Sequence, residues 1–286
     1  MGGDGPARGE RIAKRLARAG LCSRREAERL IADRRVAVDG KTLDTPAVLV
    51  TESARITVDG EPVGAPERTR LWRYHKPRGV LTAERDPQGR PMIFEQLPTG
   101  LPRLISVGRL DFNSEGLLLL TNDGELARTL ELPATGWTRR YRVRVFGKVD
   151  AARLKALEAG VRVAGVKYGP IFAAVDRVRG DNAWLTVSLR EGKNREIRRV
   201  MEHLALTANR LIRVGFGPFE LGGLAKGALK EVPGKVLAER LGDAAMPQAG
   251  RRAKAARRGS HKSRQPATPA ARKARPRAGK GAHRRR

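Results

Sequence analysis

The chain has 286 residues, enough for one large or two modest domains, and its formal net charge of +29 indicates a polyanionic partner without naming it. One cysteine excludes an internal disulfide and fits a reducing compartment. No apolar run approaches the roughly 18 residues of a membrane helix, and the first nine residues lack a signal-peptide core. The four histidines have no Cys or His partner at metal-ligand spacing. The sequence therefore predicts a cytoplasmic protein that uses no metal and meets no membrane.

Two helices are predicted near the start of the chain. Residues 1–9 are rich in glycine, and we expect them to be disordered. Apolar residues then recur with helical spacing between Glu10 and Gly20, and a glycine at this place is typical of a helix end. Ser23 is expected to cap the second helix, with Glu26 at its third position as in a capping box.

Two strand signals follow, and each runs into an Asp-Gly turn, at residues 36–40 and 56–60. A first helix, a glycine, Ser-Arg-Arg-Glu-Ala at 23–27 and Val-x-Val-Asp-Gly at 36–40 together resemble the S4 RNA-binding domain. We therefore expect a small S4-like module over residues 10–68. Five basic side chains are predicted to meet RNA phosphates there, and the alternative is a merely solvated basic face: Lys14, Arg15, Arg18, Arg24 and Arg25.

A second, larger domain is predicted over residues 69–241, after a polar linker from Gly64 to Arg70. Its first strand is Leu71–Tyr74, followed by a Lys-Pro-Arg-Gly turn and a loop at 86–91. Helices are predicted at Gly124–Leu132, from Asp150 to Gly160, and after Asn194 as a cap. Further strands are predicted at Tyr141–Val145, Val161–Val163, Ile171–Val178, Trp184–Leu189 and Leu211–Val214. The pattern indicates an α+β domain with a largely antiparallel sheet and flanking helices.

The last part of the chain, residues 242–286, consists largely of Ala, Arg, Lys, Pro and Gly and has no aromatic residue. Such a segment cannot bury enough apolar surface to fold alone, so a disordered basic arm is predicted. From Leu241 onward lie 15 of the 59 basic residues but one of the 30 acidic ones. The first 240 residues therefore keep a positive net charge of their own.

The most informative stretch is Ser106–Gly124. Asp111 stands between two apolar segments, and the four leucines 117–120 fit a strand buried on both faces or part of a buried helix. Gly116 before this run and Asn-Asp-Gly after it favour the strand. Asp111 is thus predicted on a tight connection that a rigid scaffold could aim into a cleft. The alternative is that Asp111 simply caps the following turn.

The motif Gly-Arg-Leu-Asp, followed by Gly-Leu-Leu-Leu-Leu-Thr-Asn-Asp-Gly, resembles the signature of the RsuA/RluB family of ribosomal-RNA pseudouridine synthases. Lys-Pro-x-Gly at 76–79 and Asp-Pro-x-Gly-Arg-Pro at 86–91 also match this family. The resemblance covers roughly residues 10–240, and the S4-like module with a long basic arm is most like the RluB branch. It implies that Asp111 is the catalytic carboxylate.

The resemblance also implies roles for three other residues. The counterpart of Arg109 helps fill the place of the flipped base, but an ordinary strand-edge arginine would look the same. The counterpart of Tyr141 stacks on the flipped base, whereas a lone tyrosine is more often a core aromatic. Arg198 lies in an element resembling Gly-x-x-x-Gln-x-Arg-Arg-Met, whose first arginine pairs with the catalytic carboxylate. Here Glu196 and Val200 depart from that pattern, which puts nearby hydrogen bonding in doubt.

The activity implied is the isomerisation of a uridine in ribosomal RNA, most like that of large-subunit synthases acting near the peptidyl-transferase centre. The reaction needs no redox cofactor, so no cofactor is expected. The expected partner is ribosomal RNA or a ribosomal assembly intermediate, and the expected state is a monomer. Three alternatives stay open: the same chemistry on small-subunit RNA, a non-catalytic RNA-binding assembly factor, and a general nucleic-acid packaging protein.

Overall fold

The computed structural model describes residues 9–132 and 135–245. The predictions of disorder for the N-terminus and for the arm therefore fall almost wholly outside the described residues. The helices are α1 (Ile12–Arg18), α2 (Arg24–Ala32), α3 (Gly124–Glu131), α4 (Ala151–Ala156), α5 (Glu196–His203) and α6 (Gly234–Ala245). Because α6 runs to Ala245, the first four residues assigned to the disordered arm are helical.

The strands form one large sheet and three small ones. They are β1 (Glu10–Arg11), β2 (Val36–Val38), β3 (Lys41–Thr42), β4 (Leu49–Val50), β5 (Ile56–Val58), β6 (Glu61–Pro62), β7 (Leu71–Lys76), β8 (Ile105–Val107), β9 (Glu115–Thr121), β10 (Arg139–Phe146), β11 (Val161–Val163), β12 (Val166–Tyr168), β13 (Ile171–Arg179), β14 (Asn182–Leu189), β15 (Thr207–Phe216), β16 (Phe219–Glu220) and β17 (Leu229–Glu231). In the described ranges, no helix is long and apolar enough to cross a bilayer.

The N-terminal module packs α1 and α2 on a four-stranded sheet with the order β3-β2-β5-β6. Ser23 caps α2 as predicted, because its hydroxyl accepts a hydrogen bond from the backbone N–H of Glu26. Asp39 and Asp59 have positive φ angles, as do the glycines that follow them, which fits the two predicted Asp-Gly turns. Cys22 is buried in the core of this module, where it acts as a small apolar residue.

The large sheet has the order β13-β14-β10-β15-β9-β7-β17. In addition, β8 pairs with β9 and β16 pairs with β15. Its pairs are antiparallel except for β9 with β15, so the predicted α+β class with a largely antiparallel sheet is confirmed. The four leucines lie in β9, all seven residues of which are buried, which confirms the strand interpretation. Helices α4 and α5 pack on β10, β13, β14 and β15, while α3 and α6 pack on the half that contains β9.

The two halves of this sheet meet where β9 runs parallel to β15. The strand pairing between them comprises two residue pairs, Glu115 with Ile212 and Gly116 with Arg213. Gly116 has a φ of +108°, and a Cβ atom there would lie 2.3 Å from the carbonyl oxygen of Arg213. Glycine is therefore required for the strands to approach this closely. Asp111 lies in the loop that enters this seam.

One predicted cap is wrong. Asn194 was expected to cap α5, but the residue before the helix is Arg195, which has a left-handed φ of +50° and makes no side-chain cap. The first turn is held instead by Glu196, whose carboxylate accepts a hydrogen bond from the backbone N–H of Lys193 at 2.9 Å.

Candidate active site

Asp111 lies on the tight connection between β8 and β9, as the sequence predicts. It is half-buried, and within residues 9–132 and 135–245 no group donates a hydrogen bond to its carboxylate. The backbone carbonyl, and not the side chain, accepts the turn hydrogen bond from Ser114 N–H at 2.9 Å. The capping alternative therefore does not describe this aspartate. Its carboxylate therefore remains available to a bound ligand.

The backbone around Asp111 is clamped from several elements. Gly79 N–H donates to the Phe112 carbonyl at 2.9 Å, and the Thr82 hydroxyl donates to the Leu110 carbonyl at 3.1 Å. From the other side, Gly108 N–H donates to the carboxylate of Glu131 at the end of α3. A loop held in this way presents its one free acid in a fixed direction, which is what preorganised catalysis requires.

Lys76 is the most buried of the residues that hold this loop. Its side chain is fully buried, and its ammonium group donates to the carbonyls of Pro77, Asp111 and Ser114 at 3.0, 3.3 and 3.0 Å. Three acceptors match the three N–H donors of the charged form. Burial lowers the pKa of Lys76 to about 8, against the opposing effect of the Asp111 and Glu115 charges. Lys76 therefore carries most of its charge at neutral pH, beside the loop of Asp111.

Asp111 opens onto a cavity of about 600 Å³, in the size range of ligand sites. Arg109 and Tyr141 line the same cavity, so the structure brings three of the predicted site residues together. Arg109 is exposed, and Tyr141 is 9% exposed at the buried face of β10. Four further basic residues, which were not predicted from the sequence, line the wall: Arg139, Lys193, Arg195 and Arg213.

Arg213 is a buried cation of the cavity wall. It stands opposite Tyr141 on the neighbouring strand, is 3% exposed, and donates from Nε to the Leu117 carbonyl at 2.7 Å. Its guanidinium lies 5.2 Å from the centre of the Phe216 ring. Its Nη2 is buried and has no hydrogen-bond partner in the described residues. An unpartnered donor of this kind is costly unless a ligand supplies an acceptor.

Lys76 and Arg213 share one sequence signal. Lys76 continues the buried alternation of Trp72 and Tyr74 along β7, and Arg213 continues that of Leu211 along β15. A basic residue at an inward-facing position of a strand predicts a buried, specifically bonded cation.

Arg198 does not form the ion pair with Asp111 that the resemblance implied. Its guanidinium donates to the carbonyls of Ala208 at 2.6 Å and Asn113 at 3.1 Å, and it is not among the residues lining the cavity. Burial lowers its pKa, and the Asp111 charge partly opposes this, so the two groups still interact through space. Arg198 fixes the loop through its backbone at Asn113.

The chain is similar to known proteins over most of its length. Residues 70–203 match the family model of RNA pseudouridylate synthases, and residues 10–56 match that of the S4 domain. An uncharacterised RNA pseudouridine synthase of Rickettsia felis is 47% identical over 228 residues, which cover 80% of this chain and 99% of that protein. Ribosomal large subunit pseudouridine synthase B of Yersinia pestis is 43% identical over 234 residues, covering 78% and 73% of the two chains.

The chain belongs to the RsuA/RluB family of pseudouridine synthases.

A solved structure described as a pseudouridylate synthase has the same fold. It superposes with a TM-score of 0.57 at 23% identity, covering 81% of this chain and 99% of the other. The synthase therefore shares its architecture with a protein that differs from it in most side chains.

Glu196 stands where the family pattern that the sequence resembles has glutamine, and its environment in the synthase suits a neutral group. The side chain lines the cavity, is 4% exposed, and leaves Oε1 buried without a hydrogen-bond partner in the described chain. Burial raises its pKa, although the hydrogen bond from Lys193 acts in the opposite direction. A proton on Glu196 would make it resemble glutamine.

We expect Glu196→Gln to stabilise the synthase near neutral pH by about 1 kcal/mol, since it removes a buried charge with an unpaired oxygen. The folded protein binds the Glu196 proton more tightly than the unfolded chain does. Its contribution to stability is therefore lost as the pH rises from about 4.5 through the raised pKa. Thermal unfolding at several pH values should show this loss in the natural protein and not in the variant. Parallel pH curves for the two proteins would contradict it.

Only some of the basic residues predicted to bind RNA on the S4 domain are exposed and free of ion pairs. Lys14 pairs with Glu125 of α3, and Arg18 pairs with Glu10 at 3.0 Å. Arg15 is half-buried, whereas Arg24 and Arg25 are exposed. Lys14, Arg18 and Arg24 line a cavity of about 480 Å³ between the S4 domain and the catalytic domain, with Arg103 and Arg128 on its other side. The acids nearby mean that the five residues do not form one uniformly free basic face.

Proposed function

We propose that this pseudouridine synthase isomerises a uridine of ribosomal RNA, and that its target lies in large-subunit RNA. The observation that carries the proposal is the unbonded Asp111 carboxylate, held rigidly at the wall of a basic cavity with Arg109 and Tyr141. Relatives named for the ribosomal large subunit, from Yersinia pestis and Escherichia coli O157:H7, support this choice of RNA. We further propose that residues 10–68 and 69–241 act as separate RNA-binding and catalytic units.

In the reaction the bond between N1 and C1′ of the uridine breaks and a bond between C5 and C1′ forms. The hydrogen on C5 is released and N1 gains one, so no electrons are exchanged with a cofactor. A carboxylate is suited to this exchange because it can add to the sugar or base as a nucleophile or remove a proton as a base. The uridine must first leave its stack to reach Asp111.

The cavity walls have the chemistry to receive a flipped base. We propose that Tyr141 stacks on the base, that Arg109 helps fill the place it leaves, and that Arg198 acts on substrate position through the loop it holds. Arg213 adds a donor for a carbonyl or phosphate oxygen. We propose that Lys14, Arg15, Arg18, Arg24 and Arg25 meet phosphates when RNA displaces the acids that pair with some of them.

The test is a map of pseudouridines in ribosomal RNA from cells that lack the gene, compared with cells in which it is restored. We expect one large-subunit position to lose its pseudouridine and to regain it on restoration. Loss at a small-subunit position would overturn the choice of subunit and keep the chemistry. An unchanged map, together with a defect in ribosome assembly, would favour the non-catalytic assembly factor instead.

A further inference from the structure

The surface opposite the active cavity is a face of the large sheet that no element of the described residues covers. We call it the back face and define it by Arg142, Arg144, Arg177, Arg179, Trp184 and Arg210, on strands β10, β13, β14 and β15. Successive residues of a strand point to opposite sides. Because Tyr141 and Val143 face the core with α4 and α5, Arg142 and Arg144 face away from it.

The back face concentrates positive charge without enough acid to balance it. Arg144 stands directly opposite Trp184 on one side and Arg210 on the other, and Arg177 is also opposite Trp184. Asp176 pairs with Arg142 at 3.6 Å, and Glu115 pairs with Arg210. Within the described ranges, Arg144, Arg177 and Arg179 form no ion pair. Like charges on adjacent strands repel, so an anion bound there would stabilise the face.

Three of these arginines surround a cavity of about 410 Å³, which Asn182 and Trp184 complete. Arg144 is oriented by a hydrogen bond from Nε to the Asn182 side-chain oxygen at 3.1 Å. Arg142 lies 4.9 Å from the centre of the Trp184 ring, a cation–π contact that orders both groups. The cavity therefore combines one oriented arginine with two exposed ones, and its size suits a phosphate and its sugar.

Exposed aromatic rings mark the two ends of the face. Phe172 is 56% exposed and stands opposite Ser188, while Phe146 is 49% exposed and stands opposite Asn182. At about 3.3 Å per residue, the two positions lie roughly 20 Å apart along β14. Exposed rings on a sheet stack with unpaired bases, whereas bases in a duplex are already stacked on one another.

We propose that the back face binds a single-stranded segment of RNA, with Arg144, Arg177 and Arg179 on its phosphates. This site is distinct from the cavity of Asp111, because the two lie on opposite sides of the same sheet. It does not depend on which uridine is modified. The chain's own basic arm is excluded as the occupant, since its charge has the same sign.

The test uses the full chain and a labelled oligo(A) of about ten nucleotides, which contains no uridine and so cannot be a substrate. The variant combines Arg144→Gln, Arg177→Gln and Arg179→Gln. The matched control combines Lys148→Gln, Lys230→Gln and Lys235→Gln, which removes the same charge from exposed positions outside all three cavities. Binding is followed by fluorescence anisotropy over a range of salt concentrations, and folding by circular dichroism.

We expect the back-face variant to bind oligo(A) at least about tenfold more weakly than the control. The slope of log K against log salt should fall by about 2, for three phosphate contacts at roughly 0.7 each. Equal losses of oligo(A) affinity in the back-face variant and the control would overturn the proposal. A loss of affinity in Arg109→Glu as large as that in the back-face variant would also overturn it, because it would place the oligonucleotide in the Asp111 cavity. A back-face effect seen with an RNA duplex or with poly-glutamate, and absent with oligo(A), would show that the occupant is not single-stranded RNA.

Discussion

Asp111→Asn is expected to abolish pseudouridine formation while RNA binding stays within about twofold of the natural protein. Asparagine has nearly the same shape, but its neutral amide can act neither as a nucleophile nor as a base. Removing such a group from other enzymes lowers the rate by roughly four to six orders of magnitude. The rate can be followed by release of tritium from RNA labelled at C5 of uridine, because that hydrogen must leave as the new C–C bond forms.

A matched control is Asp86→Asn, which alters an acid in the loop at 86–91 that lies outside the Asp111 cavity and is paired with Arg90 at 2.7 Å. Its tritium release should stay near that of the natural protein. Full activity of Asp111→Asn would remove Asp111 from the chemistry altogether. Loss of RNA affinity in parallel with activity would mean instead that the aspartate shapes the RNA site.

Lys76→Met is expected to lower kcat by about a hundredfold and the free energy of unfolding by about 3 kcal/mol. The change removes three hydrogen bonds and leaves the carbonyls of Pro77, Asp111 and Ser114 unpaired in a buried place. Asp111 would then be presented by a looser loop. Lys76 is a positioning residue, because its ammonium contacts the backbone of Asp111 and its side chain does not line the cavity. Exposed Lys148→Met serves as the control and should change neither quantity measurably.

The pH dependence of the natural enzyme separates this role from a purely structural one. As the pH rises through about 8, Lys76 loses its charge and one donor, so kcat should fall with an apparent pKa near 8. Stability should change in the opposite sense. Between about pH 8 and 10.5 the folded protein has lost the Lys76 proton while the unfolded chain still binds it. The folded state no longer buries a charge in this range, so the Lys76 contribution to stability rises with pH. A flat kcat through pH 8 would contradict the role given to Lys76.

Local features of this fold could be predicted from the sequence because their causes lie within a few residues. Ser23 capping α2, Asp150 capping α4 and the Asp-Gly turns each depend on a side chain bonding its own neighbourhood. The buried strand β9 was signalled by its leucines and by the glycine and turn residues around them. The placement of Asp111 on a tight loop followed from the apolar segments on its two sides.

Contacts between distant parts of the chain could not be predicted in this way. Nothing local to Lys76 indicates that the carbonyls of Asp111 and Ser114 will surround it, because β7 and the loop before β9 are brought together by sheet pairing. The contacts of Arg198 have the same origin: the sequence predicts its helix, but the carbonyls of Ala208 and Asn113 reach it only through the packing of distant segments. At Asn194 a polar residue suggested a cap, whereas the left-handed backbone of Arg195 shifted the helix start.

The seam between β9 and β15 also affects the order in which the parts of this enzyme can fold. Gly116 meets Arg213 only after nearly a hundred intervening residues have been added, and long loops of this kind close late during folding. A chain still emerging from the ribosome could fold its S4 domain and hold RNA before residue 216 has appeared. During synthesis, therefore, the S4 domain can fold before the seam beside Asp111 exists, and a truncated product that ends before β15 would lack that seam.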